Sequence, residues 1–290
     1  MRYFTRLLLF LLPLMGASCS YTFYRSPGNN PVSRSMEKIT DLPDTLRETS
    51  GLVSNDGHFI TFNDSGGDPA LYTFTMQEPE PLKIMVQGAE NADWEDIAID
   101  RNTVYVADVG NNFGNRDTLV IYMIDREELD SSGPANVQCI ITFSWDEPVS
   151  RTLTGFFSHD CEALFAYGDS LYLFSKDWVK RETRVYTLPK IPGHYPLRSR
   201  TTYRVDALIT GADVHARDQE VVLVGYAEGV PLLIRYGFDD DPAVITRGGK
   251  ARRYPGFAGT QMEGVCYDRS GNIIISSEKT VIGPALYRAY

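Results

Sequence analysis

The sequence has few of the residues and motifs that mark the common catalytic and metal-binding sites. Its 290 residues include four cysteines and four histidines, with no CxxC pair and no Cys/His spacing typical of zinc. No G-x-S-x-G, P-loop or HExxH motif occurs. No 12-residue stretch has a convincing 3.6-residue apolar period, so few helices are expected. These absences exclude a helical bundle and leave no standard catalytic motif.

Positive charge is also scarce. Lys and Arg number 28 against 38 Asp and Glu, which gives a formal net charge of −10. We find no Lys/Arg stripe in the sequence, and an acidic protein repels nucleic acid, so nucleic acid is excluded as a partner. Besides Cys19, the cysteines are Cys139, Cys161 and Cys266. Cys161 and Cys266 lie in predicted strands that favour small apolar residues, so buried free thiols are expected.

The N-terminus resembles a bacterial lipoprotein signal. Arg2 and Arg6 precede an apolar run, residues 7–15, that is too short to span a bilayer comfortably. Small residues and then Cys19 follow. We predict a signal peptide over residues 1–18 and a lipid on Cys19. An ordinary cleaved signal with a coincidental cysteine is the alternative.

The rest of the chain divides into a tether and one domain. Residues 19–36 are rich in Ser, Pro, Asn and Gly and have no apolar period, which predicts a flexible tether. Residues 37–290 form the single predicted domain, expected to be a monomer. The lipid would place it in the bacterial cell envelope, facing the periplasm or the cell surface, with the membrane as its first partner.

A repeat runs through this domain. In each repeat, a small or acidic residue is followed 13 residues later by a residue that is polar or glycine. An apolar strand, a turn and another apolar strand lie between the two residues. The pairs are Ser50 and Asn63, Glu95 and Asp108, Glu162 and Ser175, Ala212 and Gly225, and Glu263 and Ser276. Four short strands per repeat, at spacings of 45 to 67 residues, predict an all-β fold, a β-propeller of four-stranded blades.

Five blades are favoured. The last repeat ends just after its third strand, and residues 37–40 can supply the fourth, closing the ring with an N-terminal strand. The second repeat carries extra sequence at 125–136 and 147–158. If part of this sequence forms a degenerate blade, the count is six.

The first strand of each blade lines the central channel, so Glu95, Glu162 and Glu263 are expected at one channel mouth. Glu48 is a weaker member of this ring. Several carboxylates in a narrow channel need compensation. An oxygen-only ligand set favours a hard cation, calcium before magnesium. Hydrogen bonds from these carboxylates to backbone amides of neighbouring blades are the structural alternative.

The loops that leave the second strands open on the same face and bring acidic, basic and aromatic side chains together. Turn chemistry or salt bridges between loops would also explain this composition. The candidate ligand-binding residues are Asn63, Asp64, Trp94, Asp108, Asn111, Arg116, Lys176, Asp177, Trp178, Glu278 and Lys279.

Six motifs occur in this chain in the same order as in a group of secreted bacterial propellers. They are the segments NDSG at 63–66, WEDIA at 94–98, DVGNN at 108–112, DCEAL at 160–164, SKDW at 175–178 and SSEK at 276–279. Residues 45–290 therefore resemble a lipoprotein propeller family of the Bacteroidetes type. More loosely, the repeats are similar to NHL-type and gluconolactonase-type propellers. The latter similarity implies a divalent cation on Glu95, Glu162 and Glu263, with Asp108 or Asn63 assisting.

Three functions follow as expectations, of which the third is a purely structural envelope module. The first is an anchored binding propeller, whose polar channel mouth recognises a small molecule, a glycan or a protein partner. The second is a metal-dependent hydrolase of lactones or phosphoesters that uses the same carboxylates. A hydrolase needs a cation with an open coordination position, whereas a structural ion would be fully ligated by protein.

Overall fold

A computed structural model describes residues 21–22, 24–25, 36–64, 66–130 and 133–290, with backbone alone for 21–22, 24–25 and Asp130. The predicted signal peptide, the lipidation site Cys19 and most of the predicted tether lie outside these residues. The regular secondary structure of the described residues is almost entirely β-strand. Its helices are short 3₁₀ turns, Asp44–Leu46, Arg126–Asp130 and Pro255–Phe257, which agrees with the missing helical period. None of the helices in this part of the chain is long and apolar enough to cross a bilayer.

The strands form four-stranded antiparallel units in chain order. Three strands precede the first unit: β1 (Tyr21–Thr22), β2 (Tyr24–Arg25) and β3 (Met36–Asp41). The first unit comprises β4 (Thr49–Asn55), β5 (His58–Asn63), β6 (Ala70–Phe74) and β7 (Leu82–Gln87). The second comprises β8 (Trp94–Ile99), β9 (Thr103–Asp108), β10 (Leu119–Asp125) and β11 (Ala135–Trp145).

The later units carry additional strands. The third comprises β12 (Asp160–Tyr167), β13 (Ser170–Lys176), β14 (Glu182–Pro189) and, after β15 (Gly193–Leu197), β16 (Thr201–Arg204). The fourth comprises β17 (Leu208–His215), β18 (Glu220–Ala227), β19 (Val230–Gly237) and β20 (Arg247–Arg253). The last comprises β21 (Met262–Tyr267), β22 (Ile273–Ser277) and β23 (Ala285–Ala289). Strand β15 pairs with β11, and β1 and β2 pair with β16 and β20, all in parallel.

An N-terminal strand completes the last unit, as the repeat pattern predicts. Strand β3 pairs antiparallel with β23, from Ala285 opposite Asp41 to Ala289 opposite Met36. This pairing joins the start of the domain to its end. The extra sequence of the second repeat holds a 3₁₀ turn and, over 147–158, an isolated bridge between Arg151 and Phe157.

Burial falls from the inner strands to the outer ones. The first strands β4, β8, β12, β17 and β21 contact one another in a closed cycle. They are buried over most of their length, because neighbouring sheets cover both of their faces. The outer strand β7 instead alternates, with Ile84 and Val86 buried between exposed residues. Each junction between neighbouring sheets has its own apolar cluster. Cys161 and Cys266 are buried free thiols, as predicted, and Cys139 is exposed.

Candidate functional site

A register shift occurs in the first strand of every unit, at the same end of the strand. A β-bulge of this kind leaves a residue unpaired and redirects its side chain. The five bulges include Ser50, Glu95, Glu162, Thr210 and Glu263. The bulge is therefore the structural basis of the repeat, and it brings Glu95, Glu162 and Glu263 to the same end of the ring of first strands, which we call the mouth.

In the fourth repeat, the structure places a different residue at the repeat position from the one that the 13-residue offset predicts. Gly225 pairs with Ile209, so Thr210 occupies the bulge and not Ala212. The Thr210 hydroxyl donates a 2.8 Å hydrogen bond to the carbonyl of Met262 in the next sheet. Ser50 likewise donates to the carbonyl of Glu95, at 2.8 Å. The two hydroxyl members of the ring thus tie neighbouring sheets together.

Three carboxylates converge at the mouth. Asp64, Asp93 and Glu95 each bring one oxygen within 4.8 Å of the other two. Burial raises the pKa of Asp93 to about 6, helped by the charge of Asp64. Burial also raises the pKa of Glu95 well above its usual range, with Glu162 and Asp64 adding to the effect. Such a group can hold a hard cation. Glu95 and Asp64 were candidates from the sequence, whereas Asp93 was not, although it immediately precedes Trp94 and Glu95.

A glycine makes this convergence sterically possible. A Cβ atom on Gly110 would collide with carboxylate oxygens of both Glu95 and Asp93. The Gly110 amide also donates to the Asp93 carbonyl, at 3.1 Å. The loop that leaves β9 therefore packs its backbone directly against two of the three carboxylates.

The other two predicted metal ligands share a buried lysine. Lys176 is 6% exposed and forms an ion pair with Glu162. Burial would lower the pKa of Lys176, but the carboxylates of Glu162 and Glu263 raise it well above its usual range. Burial raises the pKa of both glutamates, and Lys176 opposes that rise. Glu162 and Glu263 therefore already have a protein cation beside them.

Several polar candidates shape the mouth loops. Arg116 forms an ion pair with Asp108 at 2.7 Å and donates to the carbonyl of Gly110 at 2.8 Å. Asn111 exchanges two hydrogen bonds with the backbone of Arg116. Asn63 spans the first loop by donating to the carbonyl of Thr45 at 2.8 Å. These contacts position the loops around the mouth.

Asp177 and Lys279 also make contacts that hold loops in position. Asp177 is fully buried, accepts hydrogen bonds from the amides of Val179 and Lys180, and pairs with Arg184 at 2.8 Å. Lys279 pairs with Asp44 at the surface.

Glu278 lies nearer the channel than Lys279. Burial and the charge of Glu263 raise its pKa to about 8. Glu48 adds to this rise, and its own side chain is exposed.

The two candidate tryptophans occupy different environments. Trp94 is fully buried, donates to the carbonyl of Glu90 at 2.7 Å and packs against Phe62 and Tyr122. It belongs to the core. Trp178 is half-buried, and its indole donates to the carboxylate of Asp160 at 3.0 Å.

An aromatic stack extends outward from Trp178. Phe156 lies between Trp178, with ring centroids 4.6 Å apart, and Phe113, at 5.3 Å, and both pairs are inclined by 22°. Phe113 is 56% exposed. The ammonium of Lys176 lies 4.9 Å from the centroid of the Trp178 ring, on the inner side of the stack. This aromatic stack, Phe113, Phe156 and Trp178, therefore runs from solvent to the charged mouth.

Another buried carboxylate ties the inner strands together. Asp96, fully buried, accepts hydrogen bonds from the amides of Leu164 at 2.7 Å and Ala212 at 3.4 Å, in the third and fourth units. The adjacent amide of Ile97 donates to it as well, at 2.8 Å. Burial raises the pKa of Asp96 well above its usual range, while these amides lower it. Asp96 thus accepts hydrogen bonds from backbone amides of other units, which is the structural alternative predicted from the sequence for Glu95, Glu162 and Glu263.

Comparison with known proteins supports the fold. No protein-family model matches the chain, and no curated protein matches it either. Among solved structures, the chain is similar to the PQQ-bound aldose sugar dehydrogenase of Streptomyces coelicolor, at 11% identity and a TM-score of 0.52 over 90% of this chain and 99% of that one. It is also similar to the glutaminyl cyclase of Myxococcus xanthus, at 14% identity and a TM-score of 0.55 over 88% and 95%. At these identities the likeness concerns the propeller-like fold alone.

Proposed function

We propose that this chain is an envelope-anchored propeller that binds a ligand at its channel mouth. The observation that carries the proposal is the aromatic stack, which leaves Phe113 exposed at one end and places Trp178 beside the buried Lys176 at the other. Stacked rings offer a flat apolar surface for a sugar or an aromatic ring. The charged groups and loop backbones beside them can fix the orientation of a polar ligand. A small molecule or a glycan fits this combination.

We infer five blades from the closed cycle of first strands. Each blade would be one four-stranded unit, and β3 would complete the last. The lipid on Cys19, the envelope location and the monomeric state belong to the same proposal. They are supported by the N-terminal sequence and by the self-contained ring. Resemblance to the Bacteroidetes-type lipoproteins supports them too.

We further propose that calcium binds between Asp64, Asp93 and Glu95, whose oxygens lie within 4.8 Å of one another. Three carboxylates at this distance repel one another, and a divalent cation would offset that repulsion. Calcium at 100 times its Kd would stabilise the fold by about 2.7 kcal/mol. In a domain of this size, that corresponds to a rise in Tm of about 5–10 °C. Thermal melts of the purified protein with calcium and with chelator measure it.

Two variants sharpen this test. Asp93→Asn removes one proposed ligand, and Gly110→Ala forces the Glu95 and Asp93 carboxylates apart, so both should lose the calcium-dependent shift. Asp68→Asn is the matched control, since this exposed carboxylate of the same face pairs with Lys83 at 2.6 Å. It should keep the shift. Equal melting temperatures with calcium and chelator in the parent protein would contradict the calcium site.

The proposed binding of a glycan is tested separately. The calcium-loaded protein, applied to a panel of immobilised oligosaccharides, should retain at least one of them. Phe113→Ala should weaken that binding about 10-fold, the loss of one stacking contact of about 1.5 kcal/mol. Leu153→Ala, which removes a fully exposed apolar side chain outside the aromatic stack, should bind like the parent. A parent protein that retains no oligosaccharide would rule out the glycan class.

The hydrolase alternative stays a prediction. It would require calcium to keep an open coordination position toward the aromatic stack. Turnover of a lactone or phosphoester that Asp93→Asn abolishes, with Asp68→Asn active, would favour it.

A further inference from the structure

The outer strand of the fourth unit concentrates positive charge on an acidic protein. Strand β20, with the sequence RGGKARR, carries four cations and no carboxylate. Arg247, Lys250 and Arg252 are exposed, and Arg253 is half-buried. A pattern of exposed charge along an outer strand agrees with its position at the rim of the molecule. The formal net charge of the whole chain is −10, so this strand is a local exception.

Half of this charge lacks a carboxylate partner among the residues whose side chains are described. Arg253 lies 3.9 Å from Glu228, and Arg252 donates to a main-chain oxygen of Tyr290 at 3.0 Å. Arg247 donates to the backbone carbonyl of Phe238 at 2.7 Å. For Lys250, no ion pair occurs among these residues. The carbonyl contact holds the Arg247 guanidinium in place but does not neutralise its charge.

These cations border a groove of about 520 Å³. Lys250, Arg252 and Arg235 line it together with the aromatic rings of Tyr254 and Tyr290. Glu220 and Asp218 also line it. Glu220 neutralises Arg235 through an ion pair at 2.8 Å, and Asp218 lies 3.4 Å from Arg217. We call this cavity and its cationic rim the basic groove. Uncompensated cations beside tyrosine rings suit a ligand with a phosphate and a polar, uncharged portion.

The N-terminal segment runs along the same edge. Tyr24 pairs with Lys250 of β20, and Tyr21 pairs with Tyr203 of β16. Cys19 stands two residues before Tyr21 in the sequence. A lipid on Cys19 would therefore enter the bilayer close to the outer edges of the third and fourth units.

We propose that the basic groove docks onto the phosphate-bearing headgroups of an anionic membrane. The proposal rests on the lipid anchor of the proposed function, because the anchor brings this edge to the bilayer. The negative charge elsewhere is screened over a Debye length of about 8 Å, so the local cations govern contact. Docking would orient the propeller with the outer edge of its fourth unit toward the membrane.

A fluorescence experiment on the exported, full-length protein tests this orientation. A probe is attached at Gly248→Cys, an exposed position of β20 with open space around it, in a Cys139→Ser background that removes the exposed native thiol. Vesicles contain headgroup spin labels and either phosphatidylcholine alone or about one third phosphatidylglycerol. We expect quenching in the anionic vesicles that disappears at about 1 M salt. A probe at Leu153→Cys, on the aromatic-stack face, should stay unquenched.

Charge removal supplies the matched controls. Each basic residue contributes about fivefold to binding at an anionic surface, so Lys250→Gln with Arg252→Gln should lower the ratio of docked to undocked protein about 30-fold. Arg101→Gln with Lys180→Gln changes net charge equally at exposed sites elsewhere and should leave quenching unchanged. Equal quenching of both probes, or equal quenching in both vesicle types, would overturn the proposal.

The anchor is checked separately by the mass of the N-terminal peptide. Unacylated protein whose β20 probe is still quenched only by anionic vesicles would support the groove and refute the anchor. Acylated protein without that quenching would refute the groove alone. Occupancy of the groove by inorganic phosphate, combined with no quenching on vesicles, would likewise overturn the membrane assignment.

Discussion

Replacing Asp96 with alanine is expected to lower the free energy of unfolding by about 2–5 kcal/mol. The Asp96 carboxylate accepts amide hydrogen bonds from Leu164 and Ala212, which belong to two other units. Each buried amide left without an acceptor costs about 1–3 kcal/mol. No small side chain replaces these contacts, and water has little access to a fully buried position. Urea unfolding of the parent and the variant measures the difference.

Two further variants separate the loss of the hydrogen bonds between units from the loss of a charge. Asp96→Asn keeps one acceptor oxygen and should lose less than Asp96→Ala. Asp213→Ala removes a half-buried carboxylate that accepts from the amides of Tyr267 and Val214 at 2.7 Å each. Its loss should be smaller, because water can reach the freed amides. A loss below about 1 kcal/mol in Asp96→Ala would show that the hydrogen bonds across the channel add little net stability.

The repeat architecture follows from the sequence because it depends on patterns that recur. Alternating apolar residues and a constant offset predicted four-stranded units, and the truncated last repeat predicted closure by a strand near residues 37–40. The structure has that strand as Met36–Asp41. The fourth repeat shows where such reasoning stops. There the turn between the first two strands holds four residues, 216–219, where the first and third repeats have two. Alignment by offset therefore selected Ala212 and not Thr210.

The candidate site was harder to predict because its pairs form between segments. Lys176 reaches Glu162 and not solvent only because of its position at the end of β13, next to the bulge. Asp93 joins Asp64 and Glu95 only because Gly110 has no side chain. Trp94 and Trp178 look equivalent in sequence, yet one is fully buried and the other half-buried. Sequence identified the residue types at the mouth, whereas three-dimensional contacts decide which carboxylates are already paired.

Removing the buried cation should be the most pH-dependent change in the molecule. Lys176→Met leaves Glu162 and Glu263 without their counter-ion, and breaking a buried ion pair typically costs about 3–5 kcal/mol. Burial raises the pKa of both carboxyl groups in the folded state. The folded variant therefore binds more protons than the unfolded chain, whose glutamates titrate near pH 4.3, roughly. Its stability falls as pH rises through the raised pKa values and recovers as pH falls.

The expected result is a large loss in Lys176→Met at pH 8 that shrinks toward pH 5, measured by urea unfolding at each pH. Lys180→Met is the matched control, since this lysine is exposed four residues away and its loss should stay within about 0.5 kcal/mol at both pH values. A Lys176→Met loss that is equal at pH 8 and pH 5 would mean that packing, and not charge, accounts for the effect. A strongly pH-dependent loss would show that Lys176 acts as the counter-ion of Glu162 and Glu263.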